Sequence, residues 1–190
     1  MIDHVSAEDL ATEIRDYQQH HKTSAEKMLR NEGFINPPFF TVLVYNNELE
    51  DFQYLAVPVD PQFFANKEGK AFFVQDVVPH NLQRMIDQKL MPVALTMTME
   101  ASMRIGDPNM SIEEVMKGDP TDILMHSYDT VEGSQVQILK MIRKDVKVVN
   151  PDGDVIDDFE LEEFKMGDEN TEMGGLFANV LKKFYETKAV

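Results

Sequence analysis

The sequence predicts an α+β fold, a mainly antiparallel sheet of five to six strands flanked by helices. Three observations predict it. Segments of β-type composition follow one another through short polar turns. Helix-period segments occur at the start, once in the middle and at the end of the chain. The resulting order is α-β-β-α-β-β-β-α, and short connections between successive strands imply antiparallel pairing. The 190 residues suit a single domain over 1–190, long enough to bury a core.

The first helix is expected from about Ala7 to Asn31, roughly 37 Å long. Ser6 precedes it and Asp9 follows three residues later, in a capping-box arrangement. Leu10, Ile14, Tyr17, His21 and Met28 fall on one stripe, and Gly33 supplies the stop. "NPPFF" then breaks the chain. Thr41–Tyr45 is almost continuously apolar and reads as a central strand covered on both faces. Asn46–Asp51 is a polar turn, and Phe52–Val57 reads as a second strand ended by Pro58.

The second helix is "VVPHNLQRMIDQKL", with Pro79 in its first turn and Leu82, Met85, Ile86 and Leu90 as its buried stripe. "MPVALTMTMEASM", residues 91–103, follows as a strand. Alternation puts Val93, Leu95, Met97 and Met99 on one face and Ala94, Thr96, Thr98 and Glu100 on the other. A long loop, Gly106–Thr121, holds a short helix announced by Ser111 and Glu114 and ended by Gly118. "DILMHSYDTVEGSQVQILKMIRK" reads as a hairpin turning at Glu132-Gly133-Ser134. "VKVVNPDGDVI" extends it through a Pro-Asp-Gly turn. Residues 150–172 are expected to be an acidic loop or linker, and Leu176, Phe177, Val180, Leu181 and Phe184 mark the closing helix. The element order resembles that of the roadblock/longin/profilin-like folds, whose sheets act as docking platforms or dimerise.

Charge narrows the function. Thirty-four acids against 18 bases give −16, which opposes direct binding to a nucleic-acid backbone or an anionic membrane. Between Asn150 and Glu172, ten acids and the single base Lys165 carry −9 of that total. The cluster Lys140, Arg143, Lys144 and Lys147 is expected to face this segment, within the chain or across a dimer. With no cysteine, disulfides, thiolate metal sites and cysteine nucleophiles are excluded. The N-terminus lacks a basic region followed by an apolar run, and no 18-residue apolar stretch occurs, so a cytoplasmic protein is expected.

Chemical motifs are sparse. With Gly153 at the sixth position of an EF-hand loop, Val148 and Phe159 would occupy the first and twelfth, and neither can ligate calcium. His4, His20, His21, His80 and His126 form no zinc-ligand pattern, and only His126 lies inside an expected strand. Phosphate loops and a nucleophile elbow are missing, and an anion at Gly174-Gly175 would meet Asp168, Glu169 and Glu172. No metal and no cofactor is expected. The 13 methionines read first as an adaptable core.

Glu100-Ala101-Ser102-Met103, with the flanking "ALTMTM" and "DPTDILMHSYDT", resembles a strand ending in an "EAWM"-type motif in a group of small bacterial and phage proteins of unknown function. Ser102 replaces the aromatic, and the resemblance spans about Pro79 to Arg143. It implies a phage or prophage origin and no catalytic residue.

Three functions follow as expectations. The first is a non-enzymatic protein-interaction module, binding a protein partner or itself as a homodimer. Its surface is expected on the Thr face of the 91–103 strand, at Thr96, Thr98, Glu100 and Arg104. The second is an acidic decoy that mimics nucleic acid. The third is a carboxylate-dependent hydrolase with Glu100 as acid or base and Arg104 as charge stabiliser; no second acid clearly approaches Glu100 in the sequence, and Asp129 and His126 are expected on a neighbouring strand.

Overall fold

The computed structural model describes residues 5–35, 37–104, 109–164 and 177–188. Among them it is α+β, with a curled six-stranded antiparallel sheet and helices on both faces. The strands are β1 (Phe39–Asn46), β2 (Asp51–Val57), β3 (Leu90–Met103), β4 (Thr121–Thr130), β5 (Ser134–Val149) and β6 (Val155–Glu163). They run in the order β2-β1-β3-β4-β5-β6, so β2 and β6 are the edges. The helices are α1 (Ala7–Glu32), α2 (Lys67–Phe72), α3 (Val78–Asp87), α4 (Ile112–Lys117) and α5 (Val180–Glu186).

Helix α1 lies along one face. Ser6 accepts from the Asp9 amide to cap its start, and Gly33 closes it at φ 79°, a left-handed conformation that costs glycine nothing. Tyr17, His21, Ala25 and Leu29 recur every four residues and form its buried line. They seat α1 on two apolar clusters. Tyr17 joins Leu43, Tyr45, Val93 and Ala94 towards the helix N-terminus. Ala25 and Leu29 join Ile35, Leu124, Leu139, Met141 and Phe159 towards its C-terminus.

The opposite face carries the larger core. Phe40, Val42 and Val44 of β1 and Leu95, Met97 and Met99 of β3 pack with Phe73, Val78 and Leu82 and with Phe177, Leu181 and Phe184. The helical stretch before α3 announces itself poorly in the sequence, because Gly69 interrupts it and its phenylalanines follow no single period. Asn66 caps α2 through the Gly69 amide at 2.7 Å. A β-carbon on Gly69 would meet the Phe63 carbonyl oxygen at 2.6 Å, so the backbone contact itself requires glycine. A π turn, Phe73–Val77, then leads into α3 and buries Phe73 against Phe40 and Phe177.

Two sequence expectations change. The segment 150–172 is not a linker throughout, since Val155–Glu163 is strand β6, paired with β5 from Leu139↔Glu163 to Val149↔Val155. Its acids alternate with Val155, Ile156, Phe159 and Leu161, and β5 lysines offset the charge. Residues 165–172, and with them Asp168, Glu169, Glu172, Gly174, Gly175 and Leu176, lie outside the described residues. Val93 leaves the Leu95–Met97–Met99 face, because the register shifts opposite Leu43/Val44 and turns it into the α1-side cluster.

Candidate functional site

The α1-side face of β3 is where the sequence placed a binding surface. Thr96 and Thr98 are both fully buried there (0% exposed), beneath α1. They therefore offer neither a groove nor a dimer contact. The physical reason is α1 itself. A strand face of small polar residues allows close approach of a helix, and His21 reaches down from α1 to satisfy Thr98.

A buried polar chain results. The Tyr17 hydroxyl lies 2.8 Å from Thr41 Oγ1, which lies 2.7 Å from His21 Nδ1. His21 Nε2 is 2.9 Å from Thr98 Oγ1, which is 2.6 Å from His126 Nδ1. Each threonine bridges two partners, so the hydrogen bonds run in one of two concerted directions. Either Tyr17 donates to Thr41, Thr41 to His21, His21 to Thr98 and Thr98 to His126, or every donor and acceptor is reversed. His126 Nε2 ends the chain and, like Thr96 Oγ1 and Ser127 Oγ, is buried without a hydrogen bond.

Burial sets the charge states. Desolvation, with His126 and His20 adding repulsion, lowers the His21 pKa to about 3. Desolvation, with Lys22 nearby, lowers that of His126 to about 4. Both rings are neutral at neutral pH. Desolvation also pushes the Tyr17 phenol well above its usual range and Tyr128 up to about 12. The chain is sealed, which makes it a structural element rather than a reaction centre.

Glu100 is held at the end of this face. Its carboxylate accepts the Ile35 backbone N–H, and Arg143 lies 3.8 Å away. Arg143 also meets Asp122 at 3.3 Å. Arg104 does not pair with Glu100. Its Nε donates to the Gly118 carbonyl at 3.1 Å. His126 is bound to Thr98, and Asp129 works on the opposite face. There Asp129 accepts from the Leu181 amide at 2.7 Å and from Ser134 Oγ at 2.5 Å, capping the start of α5. Glu100 thus fastens the chain after α1 to the sheet.

Two members of the basic cluster, Lys144 and Lys147, do face the acidic segment, within the chain. Lys144 lies 2.6 Å from Glu160 and 3.5 Å from Asp158, and Lys147 pairs with Asp157. These pairs are exposed and contribute little stability. They nevertheless remove three acids from a free display of negative charge.

The open surface lies elsewhere. Three adjoining concavities, of about 420, 480 and 460 Å³, run between α1 and the β4–β6 end of the sheet. The first two share Gln18, Tyr128 and Gln135, and the last two share Lys22, Gln137 and Glu163. Together they form one trench following α1 from Ala11 to Arg30, about 29 Å at the helical rise. The helix wall presents Arg15, Lys22, Glu26 and Arg30, and β6 presents Glu163 on the same side of the sheet as Phe159 and Leu161. The trench exists because α1 crosses this face obliquely, its N-terminal part packed with β1 and β3 and its C-terminal part with β4, β5 and β6, so that the sheet beside it stays open. Sequence reasoning missed it because its residues come from three separated segments, 11–30, 128–139 and 160–164. The cations at 15, 22 and 30, spaced seven and eight apart, were the available signal.

Among the described residues, no group of three or more His, Asp or Glu side chains is placed to hold a metal ion, and no helix is long and apolar enough to cross a membrane. Comparison with protein-family models, curated proteins and solved structures returns no match.

Proposed function

We propose that the chain is a protein-interaction module whose recognition surface is the trench between α1 and β5–β6. Its occupant is an extended polar segment of a partner protein, about eight residues long at the rise of a strand. The observation that carries this reading is the continuity of the three concavities along α1, lined by Arg15, Lys22 and Arg30 of the helix with Glu163 of β6 across from them. Gln18, Gln19, Gln135 and Gln137 add side-chain amides along the same path, suited to the donors and acceptors of a peptide backbone. The acids on the trench side, Glu163 of β6 and Glu26 of α1, favour Lys or Arg in the partner.

Peptides selected from a random display library against the full chain test this. Chemical-shift changes on binding are expected at residues 15–30 and 135–163. The double variant Glu26→Lys, Glu163→Lys, checked for fold by circular dichroism, is expected to bind the same peptides at least tenfold more weakly. Shifts confined to other surfaces, or unchanged affinity in the variant, would remove the trench as the recognition surface. The hydrolase and decoy alternatives draw less support, since Glu100 lines none of the trench and Asp157, Asp158 and Glu160 are engaged by lysines.

A further inference from the structure

The α1 side of the trench carries its charges in an order. Gln18, Lys22, Glu26 and Arg30 follow one another at four-residue spacing, one position on from the buried Tyr17, His21, Ala25 and Leu29. Arg15 and Lys22 line the central cavity. Glu26 lines the last one, where Glu163 of β6 joins it. Gln137 holds Glu163 there, its Nε2 donating to the carboxylate at 3.4 Å. Arg30 closes the row, but its guanidinium is turned over the Phe159 ring, 4.8 Å from the centroid.

Opposite charges four residues apart on a helix ordinarily pair. Lys22 and Glu26 do not, although both are half-buried. Arg15 and Lys22 form no ion pair with any described residue, in a chain with 34 acids. Lys22 also projects over the sheet, since the His126 pKa is lowered first by burial and then by the Lys22 charge. The trench therefore holds a cationic pole and an anionic pole that the chain itself leaves unanswered.

We propose that the partner segment is zwitterionic, with an Asp or Glu side chain seated between Arg15 and Lys22 and a Lys or Arg side chain seated between Glu26 and Glu163. This charge order deepens the trench reading and stands only if the trench is the recognition surface. A purely cationic segment would answer Glu26 and Glu163 but meet Arg15 and Lys22. A purely anionic one would face the −16 of the whole chain. One charge of each sign answers both poles and adds no net charge. The poles also fix register and direction, because a slipped or reversed segment sets like charges together. The midpoint of Arg15 and Lys22 lies about 11 Å from Glu26 along the helix axis. On an extended segment, positions i and i+4 share a face about 13 Å apart, the spacing nearest to that span.

Panning the random peptide display library on the full chain, and in parallel on the reversed variant Arg15→Glu, Lys22→Glu, tests the order. Circular dichroism checks the fold of the variant. Peptides that bind the unmodified chain are expected to carry an acid four positions from a base. Exchanging that acid for Lys is expected to weaken binding to the unmodified chain at least tenfold and to strengthen binding to the reversed variant at least tenfold. Should the reversed variant fail to fold, Lys22→Gln is expected to reduce the preference for the acid by about threefold or more. Peptides that shift trench residues but lose nothing on the exchange would overturn the zwitterionic occupant while leaving the trench as the recognition surface. A variant that keeps the unmodified chain's preference would do the same. Peptides that shift only other surfaces would remove both.

Discussion

Acidification from pH 7 to pH 5 is expected to unfold much of this protein's stability while most carboxylates remain ionised. The perturbation acts on His21 and His126. Both are buried to within 1% of full burial and are lowered to about 3 and about 4. In the unfolded chain a histidine titrates near 6.5. A folded pKa below the unfolded one means that the stability is fully present above about pH 6.5. It is lost as pH falls towards the folded values, because the unfolded state takes up protons that the native state refuses. Between about pH 6 and pH 4.5 the difference approaches two protons, a slope of roughly 2.7 kcal/mol per pH unit. From pH 7 to pH 5 each histidine then costs about 2 kcal/mol, against a typical total stability of 5–15 kcal/mol. Asp129, raised by burial, works in the opposite sense at lower pH, because protonating it relieves its desolvation. Urea unfolding followed by far-UV circular dichroism at pH 7, 6 and 5 measures the slope. The variant His126→Gln should lower it by about half, provided the glutamine carbonyl accepts from Thr98. Stability that changes by less than about 1 kcal/mol between pH 7 and pH 5 would refute the sealed, neutral state of both rings.

Other perturbations follow from single contacts. Asp129→Ala removes the cap of α5 and leaves the Leu181 amide buried without a partner, which should cost about 3 kcal/mol in the same urea assay. Leu95→Ala opens a cavity between β3 and the helices of the larger core and should cost 2–5 kcal/mol, in the range of such truncations, roughly. Glu100→Gln keeps an acceptor for the Ile35 amide and should cost less than about 1 kcal/mol, whereas Glu100→Ala should cost about 2 kcal/mol. A Glu100→Gln variant as unstable as Glu100→Ala would show that the Arg143 pairing, not the amide, holds this corner.

Much of the architecture is readable in the chain because it depends on local rules. The cap at Ser6, the left-handed stop at Gly33 and the capping box at Ser111 and Glu114 each bind neighbours three or four residues away. The period-2 alternation from Ala94 to Met99 follows from strand geometry and sorted that stretch correctly. The alternation failed at Val93, where the register depends on the partner strand, since a bulge is a property of two strands rather than one. The acidic stretch misled for a related reason. Its composition reads as solvated linker, but Phe159 and Leu161 bury against α1, Leu139 and Met141 once β5 is alongside, and that packing holds β6 in the sheet.

The amino-acid sequence by itself determined the α+β class, the element order, the −16 charge and the freedom from cysteine chemistry. Tertiary structure alone decided which face of β3 α1 would cover. Alternation says that Thr96, Thr98 and Glu100 point the same way, but not whether water, a partner or a helix meets them. His21, 77 residues from Thr98 in the chain, settles it by forming the hydrogen bond that permits Thr98 to be buried. The same oblique placement of α1, from β1 and β3 at its start to β4–β6 at its end, leaves the strip of sheet beside it open, and so creates the trench.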